Sequence, residues 1–519
     1  MKHKRALKMT WIGIVLPVFL GTSSAWADER AELETLRQTT LNLIQMLVQQ
    51  GVFTQEKADA LVQQAETKAR DLVAARQKTE ETVVRVQYVP EAVRKQIADQ
   101  VREEVVAQAK VERWGDANAV PEWADRLKWE GDIRMGYQGD RFSKNNAPEV
   151  FQQVQGQNVS NTTEDRDRFR LRARLGLSAR ITPEIAAGLR LATGTLNDPV
   201  STNQTLGQSG NKYSFVLDRA FVKAHSDTVL PWLTATAGRM PNPWFSSSLV
   251  WDDDLNFEGA AVHIDPFAQS TSAWRPFATL GAFPLQEIER SASVNAKSKW
   301  LLGVQVGTEW IPDLNTRAKL GLAIYDYRNI AGERNPFGLT TSNKTAPDAR
   351  QKGNTLFNIA NTGDPTNTLF ALASDYRVLN VTGMVDLNLF SPVHVVLSAD
   401  YVRNIGFSRG KTLARTGLNL DPDLTGYLAQ VTVGMPDMLL KGDWQLSLGY
   451  RRLGADAVVD AFTDSDFHLG GTNNRGFIVG AQYALSKNTW LSARWLSSNE
   501  IRGLPLSTDV FQLYFNARF

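Results

Sequence analysis

The chain ends on Asp509-Val-Phe-Gln-Leu-Tyr-Phe-Asn-Ala-Arg-Phe519. Phe511, Leu513, Phe515, Ala517 and Phe519 make one apolar stripe, interleaved with Gln512, Tyr514, Asn516 and Arg518. Successive side chains of an extended chain point to opposite faces, so this stretch reads as a strand apolar on one side and polar on the other. Two settings suit it: a half-buried edge strand of a soluble sandwich, or a strand with lipid on one face and water on the other. The rest of the chain must choose.

A strand of this kind, ending the chain on an aromatic residue, resembles the closing strand of a bacterial outer-membrane β-barrel. The opposite terminus carries an export signal. Lys2, Lys4, Arg5 and Lys8 form a basic segment, 11–20 is apolar, and Ala25-Trp26-Ala27 offers a cleavage site. Residues 1–27 therefore read as a signal peptide. The apolar run is too short for a membrane anchor, and no charge-free stretch of about 18 residues follows it. With no cysteine, the exported chain must hold its fold by backbone pairing and packing.

Mean hydropathy is −0.28 and 22% of residues are charged, which excludes a bundle of spanning helices. A barrel hides from such measures because only every second strand residue faces lipid. The 37 glycines, 14 tryptophans and 11 tyrosines suit many turns and interfacial aromatic girdles. A net charge of only +2 argues against a nucleic-acid partner.

The mature chain divides near residue 126. Residues 28–112 have helical spacing: Leu33, Leu36, Leu43 and Leu47 share a face that Leu41, Ile44 and Val48 widen. A second helix follows Thr54 and a third begins near Pro90. No core for a globular domain is visible there, and the spacing points to a periplasmic helical or coiled-coil stalk and linker over 28–126, with a disordered linker as the other reading.

From Leu127 the period changes to two. Leu127, Trp129, Ile133, Met135 and Tyr137 alternate with Lys128, Glu130, Asp132, Arg134 and Gln138. Further strands are expected near 168–181, 184–194, 213–225, 232–240, 257–265, 273–283, 298–311, 315–327, 376–390, 393–405, 425–435, 443–454, 475–486, 488–498 and 509–519. The connections alternate between short and long polar segments, the mark of an up-and-down membrane barrel. The expected fold is an all-β transmembrane barrel of about 16 antiparallel strands over 127–519, preceded by the α-helical periplasmic segment.

Two charged features fall on the lumen side. Phe169, Leu171, Ala173, Leu175, Leu177 and Ala179 face outward, so Arg166, Arg168, Arg170, Arg172 and Arg174 face inward, with Arg180 below and Arg190 on the next strand. Arginine does not deprotonate and is costly against lipid, so these side chains must meet water. They form either a solvated wall balanced by Glu164, Asp165 and Asp167, or a ladder that concentrates anions. The third long loop reads Met240-Pro-Asn-Pro-Trp-Phe-Ser-Ser-Ser-Leu-Val-Trp-Asp-Asp-Asp-Leu-Asn256. Folded inward, it would set Asp252, Asp253 and Asp254 against the arginines; a calcium site or plain loop polarity are the other readings.

Trp129-Glu-Gly-Asp-Ile-Arg134, Leu191-Ala-Thr-Gly194, Asp198-Pro-Val-Ser-Thr-Asn-Gln-Thr-Leu-Gly207, Leu217-Asp-Arg-Ala220 and Val250-Trp-Asp-Asp-Asp-Leu-Asn256 with Glu258-Gly259 resemble the bacterial "putative porin" family. Tyr88-Val-Pro-Glu-Ala-Val93 and the helical lead-in are similar to it as well. The resemblance implies an outer-membrane channel for passive diffusion of small hydrophilic solutes or ions, and carries no catalytic residue. A weaker likeness, through the arginine ladder alone, is to phosphate-selective porins.

Enzymatic chemistry has little support. Apart from His3, the histidines His225, His263, His394 and His468 are dispersed, and no metal-ligand spacing or phosphate-cradling loop appears. No cofactor or metal is expected. The rival reading is an outer-membrane anchor or adhesin tethered to the cell wall by the stalk. Expected partners are outer-membrane lipid, the permeating solutes, two further copies in a homotrimer, and the cell wall through the stalk.

Overall fold

A computed structural model describes residues 124–519 apart from 268–269. The expected signal peptide and the helices of 28–112 lie outside the described residues. After a single 3-10 turn (Ala124–Arg126) come sixteen long strands. They are β1 (Leu127–Phe142), β2 (Arg166–Arg180), β3 (Ile185–Thr193), β4 (Phe215–Ser226), β5 (Leu230–Pro241), β6 (Asn256–Ile264), β7 (Trp274–Gln286) and β8 (Lys299–Asp313). The second half is β9 (Thr316–Arg328), β10 (Arg377–Phe390), β11 (Val393–Asn404), β12 (Thr425–Gly434), β13 (Trp444–Leu453), β14 (Asn474–Ser486), β15 (Thr489–Glu500) and β16 (Ser507–Arg518). Each expected strand is present, with its ends moved by a few residues.

Every neighbour pair is antiparallel, and β1 pairs with both β2 and β16, so the barrel closes. The closing register sets Asp132 opposite Arg518 and Tyr137 opposite Leu513. Gly131 and Phe519 exchange both backbone hydrogen bonds, at 2.9 and 3.0 Å. The period-two reading fixes the faces. On β16, Phe511, Leu513 and Phe515 are exposed outward, while Gln512, Tyr514 and Asn516 are buried inward. Trp129, Trp232 and Trp274 are exposed at the short-turn end of their strands, where an aromatic girdle would meet a membrane interface.

Short and long connections alternate as the sequence implies. At one tight turn Ser486 pairs with Thr489, and Asn488 takes φ 57, a left-handed conformation that asparagine tolerates. Among the long connections, 329–376 adds a small hairpin of its own (Leu356–Asn358 with Phe370–Leu372). In 194–214, Gln204–Thr205 pairs beside β2 above the point where β3 ends.

The apolar core lies inside the barrel. Trp244, Leu249 and Trp251 of the 242–255 loop pack with Phe257, Phe283, Tyr325 and Tyr327 of the wall and with Val459 and Phe467 of the 454–473 loop. Two long loops thus turn inward and bury their aromatic residues in the lumen.

Candidate functional site: the lumen and its two in-folded loops

The 242–255 loop enters the barrel along a groove made by missing side chains. A Cβ on Gly303 would lie 2.5 Å from the Trp244 ring, one on Gly281 3.0 Å from it, and one on Gly321 3.1 Å from the Phe245 ring. Three inward glycines therefore make room for the loop's two leading aromatics. Polar clamps complete the crossing. The Phe245 amide donates to Gln305 at 2.9 Å, and Gln305 Nε2 donates back to the Phe245 carbonyl at 2.7 Å. Ser247 Oγ donates to Asp400 on β11 at 2.5 Å.

The far end of the loop reaches the arginine wall. Asp254 Oδ1 lies 3.1 Å from Arg174 and 3.6 Å from Arg172, and Thr202 Oγ1 donates to its other oxygen at 2.8 Å. Burial works against ionisation of Asp254, but Arg172 and Arg174 outweigh it and hold the carboxyl below its ordinary range. Asp252 is set differently. Burial first, and then the carboxylate of Asp464, push its carboxyl well above the ordinary range. It accepts from the Ser465 amide at 2.8 Å, while its own amide donates to Phe462 at 2.8 Å. Asp253 between them stays exposed.

The arginines expected in the lumen are there, but their counter-charges are not those expected. Asp165 and Asp167 sit at the outer rim and pair with Arg141; Glu164 makes no ion pair among the described residues. Within the lumen Arg168 pairs with Asp140 at 2.8 Å, and Asp132 binds Arg172 at 2.8 Å and Arg174 at 2.7 Å. Arg170 donates to Gln138 at 2.6 Å and lies 3.9 Å from Asp466. Arg190 Nε donates to Asp218 at 2.6 Å. Arg166 is exposed at the start of β2.

The acidic run of the 454–473 loop was not singled out in the sequence. Asp466 lies 3.1 Å from Arg494, and Asp464 lies 3.4 Å from the fully buried Arg451, whose guanidinium stacks 5.3 Å from the Phe467 ring centre. Behind them His468 is buried, with Nδ1 2.9 Å from Ser498 Oγ and Nε2 2.9 Å from Glu500. Burial, and next the ammonium of Lys352, lower this histidine to about 4. Two aspartate-bearing segments, at 252–254 and 464–466, thus converge on one basic wall.

Two arginines beside the crossing stand apart, while Arg180 and Arg275, which face the lumen nearer the short turns, lie away from it. Arg134 on β1 donates through Nε to Asn516 at 3.2 Å and lies 5.4 Å from the centre of the Tyr514 ring. Arg219 on β4 donates through Nε to Asn256 at 2.7 Å. Among the described residues neither makes a carboxylate ion pair. Of the lone lumen histidines, His263 contacts Thr279 Oγ1 at 2.9 Å and His394 contacts Asp386 at 2.7 Å; among the described residues no metal-type cluster includes either. On the long-loop side of the crossing lies a cavity of about 570 Å³, bordered by Asp198, Trp251, Phe283, Lys299 and Phe462.

Among solved structures, Pseudomonas putida OprB is 11% identical, over 77% of this chain and 96% of that one, with a TM-score of 0.45. An anion-selective porin from Comamonas acidovorans is 10% identical, over 76% and 99%, at 0.40. The outer-membrane channel DcaP of Acinetobacter baumannii is 9% identical, over 76% and 97%, at 0.39. No curated protein matches the chain. The "Putative porin" family profile matches residues 37–519, nearly the whole of the chain, and the protein belongs to that family.

Proposed function

We propose that the protein is a diffusion channel of the outer membrane, through which small hydrophilic solutes or ions pass a lumen narrowed by the 242–255 loop. The observation that carries this reading is the crossing itself: a loop clamped to β8 and β11 on one side and to β2 on the other, with charged groups from loop and wall facing each other. Arg166, Arg168, Arg170, Arg172, Arg174 and Arg190 line the path on one side, and Asp252, Asp253 and Asp254 narrow it from the other. Family membership supports the channel. In this reading the short turns and the 28–126 stalk lie in the periplasm.

A homotrimer is part of the proposal. The outward residues Ala220, Ala224, Ala235, Ala237 and Ala260 give β4–β6 a flat face against which another barrel can pack closely, and residues 28–112 supply a coiled-coil stripe. A soluble 28–112 fragment should then associate as a helical oligomer, and sedimentation as a non-helical monomer would refute the stalk. The channel itself is tested by adding purified protein to a planar bilayer. Stepwise ohmic conductance is expected; an electrically silent protein that is correctly folded would overturn the proposal.

A further inference from the structure

We infer that Arg134 and Arg219 form the anion-binding subsite of this lumen, and that they, rather than the arginine run of β2, select the permeating charge. The inference rests on the channel reading and names the residues that act within it.

The argument is one of neutralisation. A guanidinium in contact with a carboxylate presents a dipole to a passing ion, and its field falls off faster than that of a lone charge. Arg168, Arg172, Arg174 and Arg190 are each in direct contact with an aspartate. Arg172 and Arg174 use their donors to join Asp132 of the wall to Asp254 of the loop. Arg134 and Arg219 instead donate to neutral amides, Asn516 and Asn256, and the carboxylates that act on them, Asp254 and Asp466 for Arg134 and Asp218 for Arg219, do so without an ion-pair contact.

Position singles the two out further. Arg134 sits opposite Arg172 in the β1–β2 register, and Arg172 is one of the two arginines that meet Asp254. Arg219 is held by Asn256, the first residue of β6 after the crossing loop, and Asn256 is fixed in turn by donating to Asp218 at 2.7 Å. Both therefore flank the level at which the loop touches the wall. Each is bound through Nε alone, which orients the guanidinium and leaves its terminal nitrogens for a ligand. A fork of this kind suits small oxyanions such as carboxylates and phosphate, which accept two parallel hydrogen bonds, as well as attracting chloride.

The test uses the full-length protein in planar bilayers, as wild type, as the double variant Arg134→Gln/Arg219→Gln and as Arg134→Lys/Arg219→Lys. Reversal potential in a potassium chloride gradient reads the field, and inhibition of the chloride current by inorganic phosphate reads the fork. The glutamine pair should lower the chloride-to-potassium permeability ratio several-fold and abolish phosphate inhibition. The lysine pair, which keeps the charge and controls for folding, should retain the ratio but need about tenfold more phosphate for half-inhibition. Wild-type ratio and wild-type phosphate sensitivity in the glutamine pair would overturn the inference while leaving the channel standing. Unchanged phosphate inhibition in the lysine pair would overturn the fork. Absence of any wild-type conductance would bring down the channel reading and this one with it.

Discussion

Trp244 fills the space that a side chain on Gly303 would occupy, since a Cβ there would come within 2.5 Å of the indole. Loop and wall are thus matched across strands far apart in sequence. Gly303→Val should force Trp244 out of its groove and cost about 1–3 kcal/mol, the usual range for overpacking a close-fitted interior. With the root of the loop displaced, single-channel conductance should rise and the temperature of heat modification should fall. Unchanged conductance at unchanged stability would mean that Trp244 does not seat the loop.

Charge changes at the loop tip should move selectivity in opposite directions. Asp254→Asn leaves Arg172 and Arg174 with Asp132 alone, so reversal potential should shift toward anions. Replacing two or more of Arg168, Arg170, Arg172 and Arg174 by Glu should shift it toward cations. Both effects should be largest near 0.01 M salt, where the Debye length is about 30 Å, and small near 1 M, where it is about 3 Å. Reversal potentials that stay fixed in both sets would mean that permeating ions do not pass this wall.

Acid should loosen the 454–473 loop through His468. Its folded value of about 4 lies below the ordinary imidazole value of 6.5, so the neutral imidazole favours the folded loop. That stabilisation is complete above about pH 6.5 and is lost as pH falls through about 4, a linkage of a few kcal/mol. Asp460 works in the other sense. Burial raises its carboxyl to about 7, so its contribution is full below its unfolded value of 3.8 and is lost as pH rises through 7. These two trends oppose each other between pH 4 and pH 6.5, so the histidine is read in the Asp460→Asn variant: limited proteolysis of that variant should cut the loop faster near pH 4 than near pH 6.5, and adding His468→Gln should flatten that acid limb. Equal cleavage of Asp460→Asn at both values would refute the assignment.

Closure of the barrel makes a fourth prediction. The Phe519 ring lies against Gly131, and its backbone completes the ladder there. Phe519→Asp should leave the protein in the periplasm, without a heat-modifiable form in the outer-membrane fraction. Normal insertion of that variant would show that the terminal ring is dispensable.

The wall of this barrel was legible because lipid on one side and water on the other impose the period of two residue by residue. Leu127 to Gln138 announces β1 without reference to any other part of the chain. The lumen was legible only in part. The inward arginines of β2 follow from the same parity, but their partners do not: Asp254 reaches Arg174 across 80 residues, and Asp466 reaches Arg494 from a different loop. Gly281, Gly303 and Gly321 read as ordinary strand glycines until Trp244 and Phe245 are laid over them. Arg134 and Arg219 were in plain view, yet each is one charge among several in its strand. What sets them apart is a neutral neighbour from another strand, which local pattern does not encode.

The pairing of β1 with β16 also sets a rule for biogenesis. β1 finds its second neighbour only in β16, so a chain that lacks Ser507–Arg518 leaves the edges of β1 and β15 with no other strand of the barrel to cap them. The hydrogen-bond ladder is whole only when both of these strands are present. A cell that degrades open-edged barrels in the periplasm would, with no further device, be checking each barrel for β16.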